Sequence, residues 1–197
     1  ILDAVTALRH AAYGINRRPA MYSLDGATVV VTSVPSLVFT DAGAWTARSA
    51  IGGASFSVAH LEGGGAFSAD AWYYMYYYLS AGTVTRAIST TGPDPTRTFK
   101  SGPLTTHVYL GAIRTDGAAA IRPFHAQRGS YLYTDGVLVA GSTLSGAGSD
   151  VALAAAIPPS ARVAKLRLYG YSSSTSVTPT LSFYPKGFVG AGDFVYL

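Results

Sequence analysis

The sequence predicts an all-β fold, an antiparallel jelly-roll-like β-sandwich preceded by a short N-terminal helix. Three observations carry that expectation. Short runs rich in β-branched and aromatic residues recur along the 197 residues, with turn signals about every 8 to 12 positions, the pattern of a sandwich or barrel. Helical patterns do not alternate with the strand patterns, which disfavours a parallel α/β sheet. Hydrophobic residues make up 49% and charged residues 12%, about half the usual charged share, which argues against disorder. A chain of this length buries roughly 70% of its unfolded surface and needs neither metal nor disulfide to fold. No fixed internal period points to a propeller or solenoid.

Residues 1–18 are expected to form an assembly or anchoring helix, and residues 19–197 the sandwich. Ile1, Val5, Leu8, Ala12 and Ile15 recur at spacings of four and three on one stripe. Gly14 and then Arg17, Arg18 and Pro19 supply a stop. The same spacing is that of a coiled-coil seam, and its β-branched residues favour trimers or larger assemblies; the alternative is a helix lying against the sandwich. After Pro19 the period changes. Strands are expected at 27–32, 36–40 (broken from the first by Pro35), 45–51, 55–61, 71–79, 84–90, 107–115, 120–124 and 130–134. Further strands are expected at 137–140, 151–157, 163–171, 180–184 and 194–197. Asp116-Gly117 and Asp135-Gly136 read as hairpin turns, and Ala81-Gly82 as a turn between two strands.

The chain offers little to catalysis. It holds four histidines, nine aspartates, the single Glu62 and no cysteine, which removes disulfides, thiolate metal sites and cysteine nucleophiles. His60 and Glu62 sit two apart on one strand, but no third ligand follows at metal-site spacing. His107 and His125 fall on strands expected to be adjacent, with no carboxylate partner marked. Gly141-Ser142-Thr143-Leu144-Ser145-Gly146 resembles a nucleophile elbow only loosely and lacks the following helix. A glycosidase needs two carboxyl groups across the sugar, and Asp116 and Asp135 are already explained as turn residues. Gly187, Gly190 and Gly192 precede a strand and have the wrong order for a dinucleotide loop. No catalytic, cofactor-binding or metal-binding residue is therefore expected, and no cofactor.

Partners follow from charge and aromatics. The net charge of +4 comes mostly from eleven arginines, but they are scattered, with Arg17-Arg18 the one adjacent pair. Nucleic-acid readers concentrate positive charge on one face, so no nucleic acid is expected. No apolar run reaches membrane-spanning length, so no membrane partner is expected either. The start at Ile1 lacks both an initiator Met and a signal-peptide pattern and reads as a processed product or a piece of something longer. Residues 71–79, AWYYMYYYL, carry six aromatics in nine positions. Alternation puts Trp72, Tyr74, Tyr76 and Tyr78 on one face and Tyr73, Met75, Tyr77 and Leu79 on the other. The second, less hydroxylated face is expected in the core. The first is a candidate interface or glycan-contact face, since tyrosines give large contact area at low entropic cost; the alternative puts both faces inside.

Residues 72–139 resemble a block of phage virion proteins, among them tail-fibre, spike and head-fibre modules. The matching features are WYYMYYYL, STTGPDPTRTFKSG at 89–102, YLGAIRTDG at 109–117, IRPF at 121–124 and GSYLYTDG at 129–136. IPPSARVAKLRLYGYSS at 157–173 resembles the closing strands of such modules. The resemblance implies a non-enzymatic virion structural protein, assembled in the host cytoplasm into an extracellular particle. It implies a homotrimer that contacts other virion proteins and a host surface glycan. The rival reading is a lectin-like carbohydrate-binding module.

Overall fold

A computed structural model describes residues 19–41, 44–96, 99–102, 106–127, 130–134 and 156–158, with the side chains of Thr40, Asp41, Ala44 and Ser130 not included. The expected helix of residues 1–18 and Asp135 lie outside the described residues. So do the strands expected beyond Thr134, save that Ala156 and Ile157 lie in a turn instead of ending a strand.

The fold is all-β and antiparallel. Ten strands run in chain order: β1 (Met21–Ser23), β2 (Val29–Val31), β3 (Val34–Asp41), β4 (Ala44–Ile51), β5 (Ala54–Phe56), β6 (Trp72–Ser80), β7 (Thr83–Ser89), β8 (His107–Arg114), β9 (Phe124–Gln127) and β10 (Ser130–Tyr133). They form a five-stranded sheet in the order β10-β9-β1-β2-β5, a three-stranded sheet β7-β6-β8 and a two-stranded ribbon β3-β4. The five-stranded sheet shows the period-two pattern of a sheet with one dry face. Met21, Val29, Val31, Phe56, Phe124 and Ala126 are buried, while their neighbours Ser55, His125 and Gln127 face water.

That dry face, the core side of the three-stranded sheet (Tyr73, Met75, Tyr77, Ile88, Val108, Leu110, Ile113) and Val34, Leu37 and Phe39 of the ribbon make one hydrophobic core. Strand β3 lies against β6 and β8, so the ribbon shares the core through one strand. Every residue of β8 is buried, which explains its near-continuous apolar sequence.

Several boundaries differ from the sequence reading, each for a local reason. Pro35 does not break β3; it sits inside the strand opposite Ala50, where the ladder skips one pair between Val34↔Ile51 and Ser36↔Ser49. Proline has no donor to lose there. The run 55–61 stops as a strand at Phe56 and turns through a short 3-10 helix, Val58–His60. Asp116-Gly117 makes a turn without a hairpin ladder: a single bridge, Thr115↔Ile121, follows it. The chain then crosses to the other sheet, where β9 pairs with β1. Strand β1 was invisible in sequence because three residues carry too little pattern.

Candidate functional site

The aromatic strand resolves into two packed faces. Tyr73, Met75 and Tyr77 enter the main core as expected, and Leu79 packs against it. On the opposite face Tyr74, Tyr76, Ala87, Tyr109 and Ala112 form a second cluster, flanked by half-buried Trp72 and Tyr78. Tyr76 is fully closed to solvent and donates its hydroxyl to the Thr91 carbonyl at 2.8 Å. The Tyr74 ring lies against Gly92, where a Cβ would stand 3.4 Å from it. The segment after β7 thus covers the middle of this face. Of the four residues offered to a partner, only the ends, Trp72 and Tyr78, keep access to solvent.

Tyr78 opens onto a polar constellation at one end of this face. The connection after β5 is pinned by its turn: the Ser57 N–H donates to His60 Nδ1 at 3.1 Å, and the Glu62 N–H donates to the Ile88 carbonyl at 2.8 Å. Glu62 is thereby held beside β7. His107 opens β8 in register with Tyr78 and stacks on its ring at 4.5 Å and 10°. The Lys100 N–H donates to the His107 carbonyl at 2.9 Å, which brings the lysine alongside. Glu62 Oε2 accepts from Lys100 Nζ, and its Oε1 lies 3.4 Å from His107 Nε2. Burial pushes the Glu62 carboxyl up, but hydrogen bonds from Lys100 and Ser89 and the nearby positive charges outweigh it and hold the carboxyl below its ordinary value. Burial lowers the His107 pKa, against the pull of Glu62. Lining an open groove of about 430 Å³ are His60, Glu62, Tyr78, Thr85, Arg86 and His107.

Thr106 Oγ1 stands 2.9 Å from His107 Nδ1, so a hydroxyl, an imidazole and a carboxylate follow one another. Catalytic triads use that order. Here the carboxylate is already neutralised by Lys100, and 3.4 Å to the imidazole is an ion-pair distance longer than a hydrogen bond. The arrangement clamps three chain segments together: the turn after β5, the bridged segment at Phe99 and Lys100, and β8 itself.

The other sequence-level candidates are dispersed. His60 and Glu62 line the same groove, yet among the described residues no three potential ligands gather. His107 and His125 do not meet, contrary to the sequence expectation, because β8 and β9 belong to different sheets; His125 instead stacks on Tyr22 at 6.0 Å. Asp116 Oδ1 accepts from the Ala118 and Ala120 N–H groups, which is turn chemistry. Among the described residues no helix is long and apolar enough to cross a membrane. The Glu62–Lys100–His107 clamp had no sequence signal, since Glu62 and Lys100 are 38 positions apart. No family model, curated protein or solved structure matches the chain.

Proposed function

We propose that the chain is a bacteriophage virion structural protein, a tail-fibre or capsid-surface module (head fibre or decoration) that acts by assembling with copies of itself and other virion proteins. The observation that carries this reading is the β3-β4 ribbon. Strand β4 is eight residues long, its outer edge has no strand beside it among the described residues, and Trp45 on it is 49% exposed. A long exposed edge is a template for pairing with another chain. The resemblance at residues 72–139 supports the virion setting. Repeated crossings of the chain between sheets, at β2 to β3, β4 to β5, β5 to β6 and β8 to β9, support a jelly-roll-like arrangement, with the stripe Ile1, Val5, Leu8, Ala12 and Ile15 as a second assembly element.

Light scattering on the purified chain tests the reading. Three copies of the 20.5 kDa chain, a particle of about 61 kDa, are expected, and Trp45→Lys should shift it toward the monomer. A monomer unaffected by Trp45→Lys and by removal of residues 1–18 would overturn it. Portal, capsid or tail genes flanking this one would fix the particle.

A second reading is favoured by the groove beside Tyr78. A half-buried tyrosine flanked by His60, Glu62, Thr85 and Arg86 joins an aromatic surface to polar side chains, a combination suited to a sugar. Glycan-array binding abolished by Tyr78→Ala, with Trp72→Ala as the comparison at the far end of the face, would establish a lectin-like attachment role. Binding by no glycan would remove it.

A further inference from the structure

At the opposite end of β6 from Tyr78 lies a second charged cluster that neither the aromatic face nor the clamp absorbs. Arg114 ends β8 and Arg122 returns beside it after the turn, its N–H donating to the Arg114 carbonyl at 2.9 Å. Asp70 is brought to the same place by its N–H, which donates to the Asp116 carbonyl at 2.9 Å. The backbone therefore fixes two arginines side by side over a single carboxylate. Like charges placed as cross-strand neighbours are destabilising.

The pairing is loose. Arg114 Nη2 lies 3.6 Å and Arg122 Nη2 3.9 Å from Asp70 Oδ1, too far for a hydrogen bond. Asp70 itself is 58% exposed, whereas the Arg114 side chain is 9% exposed. The Nε atoms of both arginines are buried and have no hydrogen-bond partner among the described residues. Arg114 lies over the Trp72 ring at 5.4 Å, a cation–π contact that uses none of its N–H groups. Tyr133, pushed up to about 12 by burial despite the pull of both arginines, stays neutral and supplies no counter-charge. Among the described residues, two guanidiniums face one carboxylate, an excess of one positive charge. A buried unsatisfied donor calls for an unseen water or ion, and paired guanidinium forks match the oxygens of a carboxylate or phosphate.

We propose that Arg114 and Arg122 form an oxyanion-binding site, with Asp70 as a weak internal occupant of the position that the ligand oxygens take. Trp72 walls the site through its ring contact with Arg114. The ligand class is a carboxylate or phosphate group, carried by an acidic saccharide or free in solution. The site stands apart from the groove beside Tyr78 and does not depend on the assembly reading.

The test is calorimetric titration of the full chain with sodium glucuronate and with inorganic phosphate, against sodium chloride at matched ionic strength. Saturable binding of one anion per chain is expected. Binding should tighten severalfold in Asp70→Asn, which removes the internal competitor, and be lost in Arg122→Gln. Preference for glucuronate identifies an acidic sugar as the source; preference for phosphate identifies a phosphate group. Neither anion binding beyond chloride, in the parent or in Asp70→Asn, overturns the site. So does unchanged affinity in folded Arg122→Gln, or, should that variant not fold, unchanged affinity in Asp70→Asn, whose exposed position leaves the core intact.

Discussion

Gly111 is the residue whose identity the fold dictates most directly. Along the β6-β8 ladder the register passes from Met75↔Gly111 to Tyr76↔Tyr109, leaving Leu110 as the extra residue of a bulge. Two successive residues of β8 then point to the core side. Leu110 fills it, and a Cβ at Gly111 would overlap Met21 Cε and Tyr131 Oη. The same Tyr131 hydroxyl accepts the Ala112 N–H at 2.8 Å, supplying a partner for a backbone donor at the irregular point of the ladder. Gly111→Ala is therefore expected to cost about 1–3 kcal/mol, the usual penalty for overpacking, measured as a fall in the urea midpoint. The loss should shrink when Met21→Ala has already removed the clashing methyl. Equal losses in both backgrounds would assign the clash to the Tyr131 hydroxyl alone, and equal losses with Tyr131→Phe added as well would refute the steric account. An opposite sign is expected at the β6-β7 turn. Ala81 has φ 47° and Gly82 φ 77°, the two left-handed positions of a type I′ hairpin, where Asn-Gly is favoured. Ala81→Asn should stabilise the chain by about 0.5–1 kcal/mol, since alanine is strained in that region.

At the scale of elements, the clamp ties the turn after β5 to β8 through charge. His107 is disfavoured as a cation by burial, so its pKa lies below the ordinary 6.5, and the unfolded chain binds the proton first. Stability is then full above about pH 6.5 and falls as the pH drops below it. Glu62 has a folded pKa below 4.5, so its contribution is present above that value and is lost at lower pH. Urea midpoints should fall in two stages on acidification, and His107→Gln should flatten the first stage alone. A midpoint constant from pH 7 to 5 would sink this. The same elements show what the sequence could and could not reveal. The core side of β6 was legible because strict alternation gave Tyr73, Met75 and Tyr77 one face. The clamp was not, because its partners meet only through strand pairing across long separations, and single charged residues carry no periodic signal. His107 and His125 were misplaced for a related reason: Asp-Gly marks a turn, but turn chemistry does not say whether the returning chain rejoins its own sheet or crosses to another.

At the scale of the molecule, all-β architecture was readable because it rests on composition and period-two runs, which are local. Sheet membership was not, because it rests on which connections cross the core. Leu37 and Phe39 of the ribbon, Phe56 and Phe124 of the five-stranded sheet, and Met75 and Ile113 of the three-stranded sheet all belong to one buried cluster. No sheet closes a core of its own on that side, so none of the three is expected to persist when the others open. Phe124→Ala, in the larger sheet, removes a side chain packed on Tyr131 at a ring separation of 5.7 Å. It should cost about 3–5 kcal/mol, as large-to-small core substitutions do. Ile113→Ala, in the smaller sheet, should cost about 2–5 kcal/mol. Each should move a single transition, with backbone circular dichroism and tyrosine fluorescence changing together, as coincident probes require of a two-state unit. If Phe124→Ala split the transition, with tyrosine fluorescence from the three-stranded sheet holding while backbone signal was lost, the sheets would have separate cores and the shared cluster would not be the unit of stability.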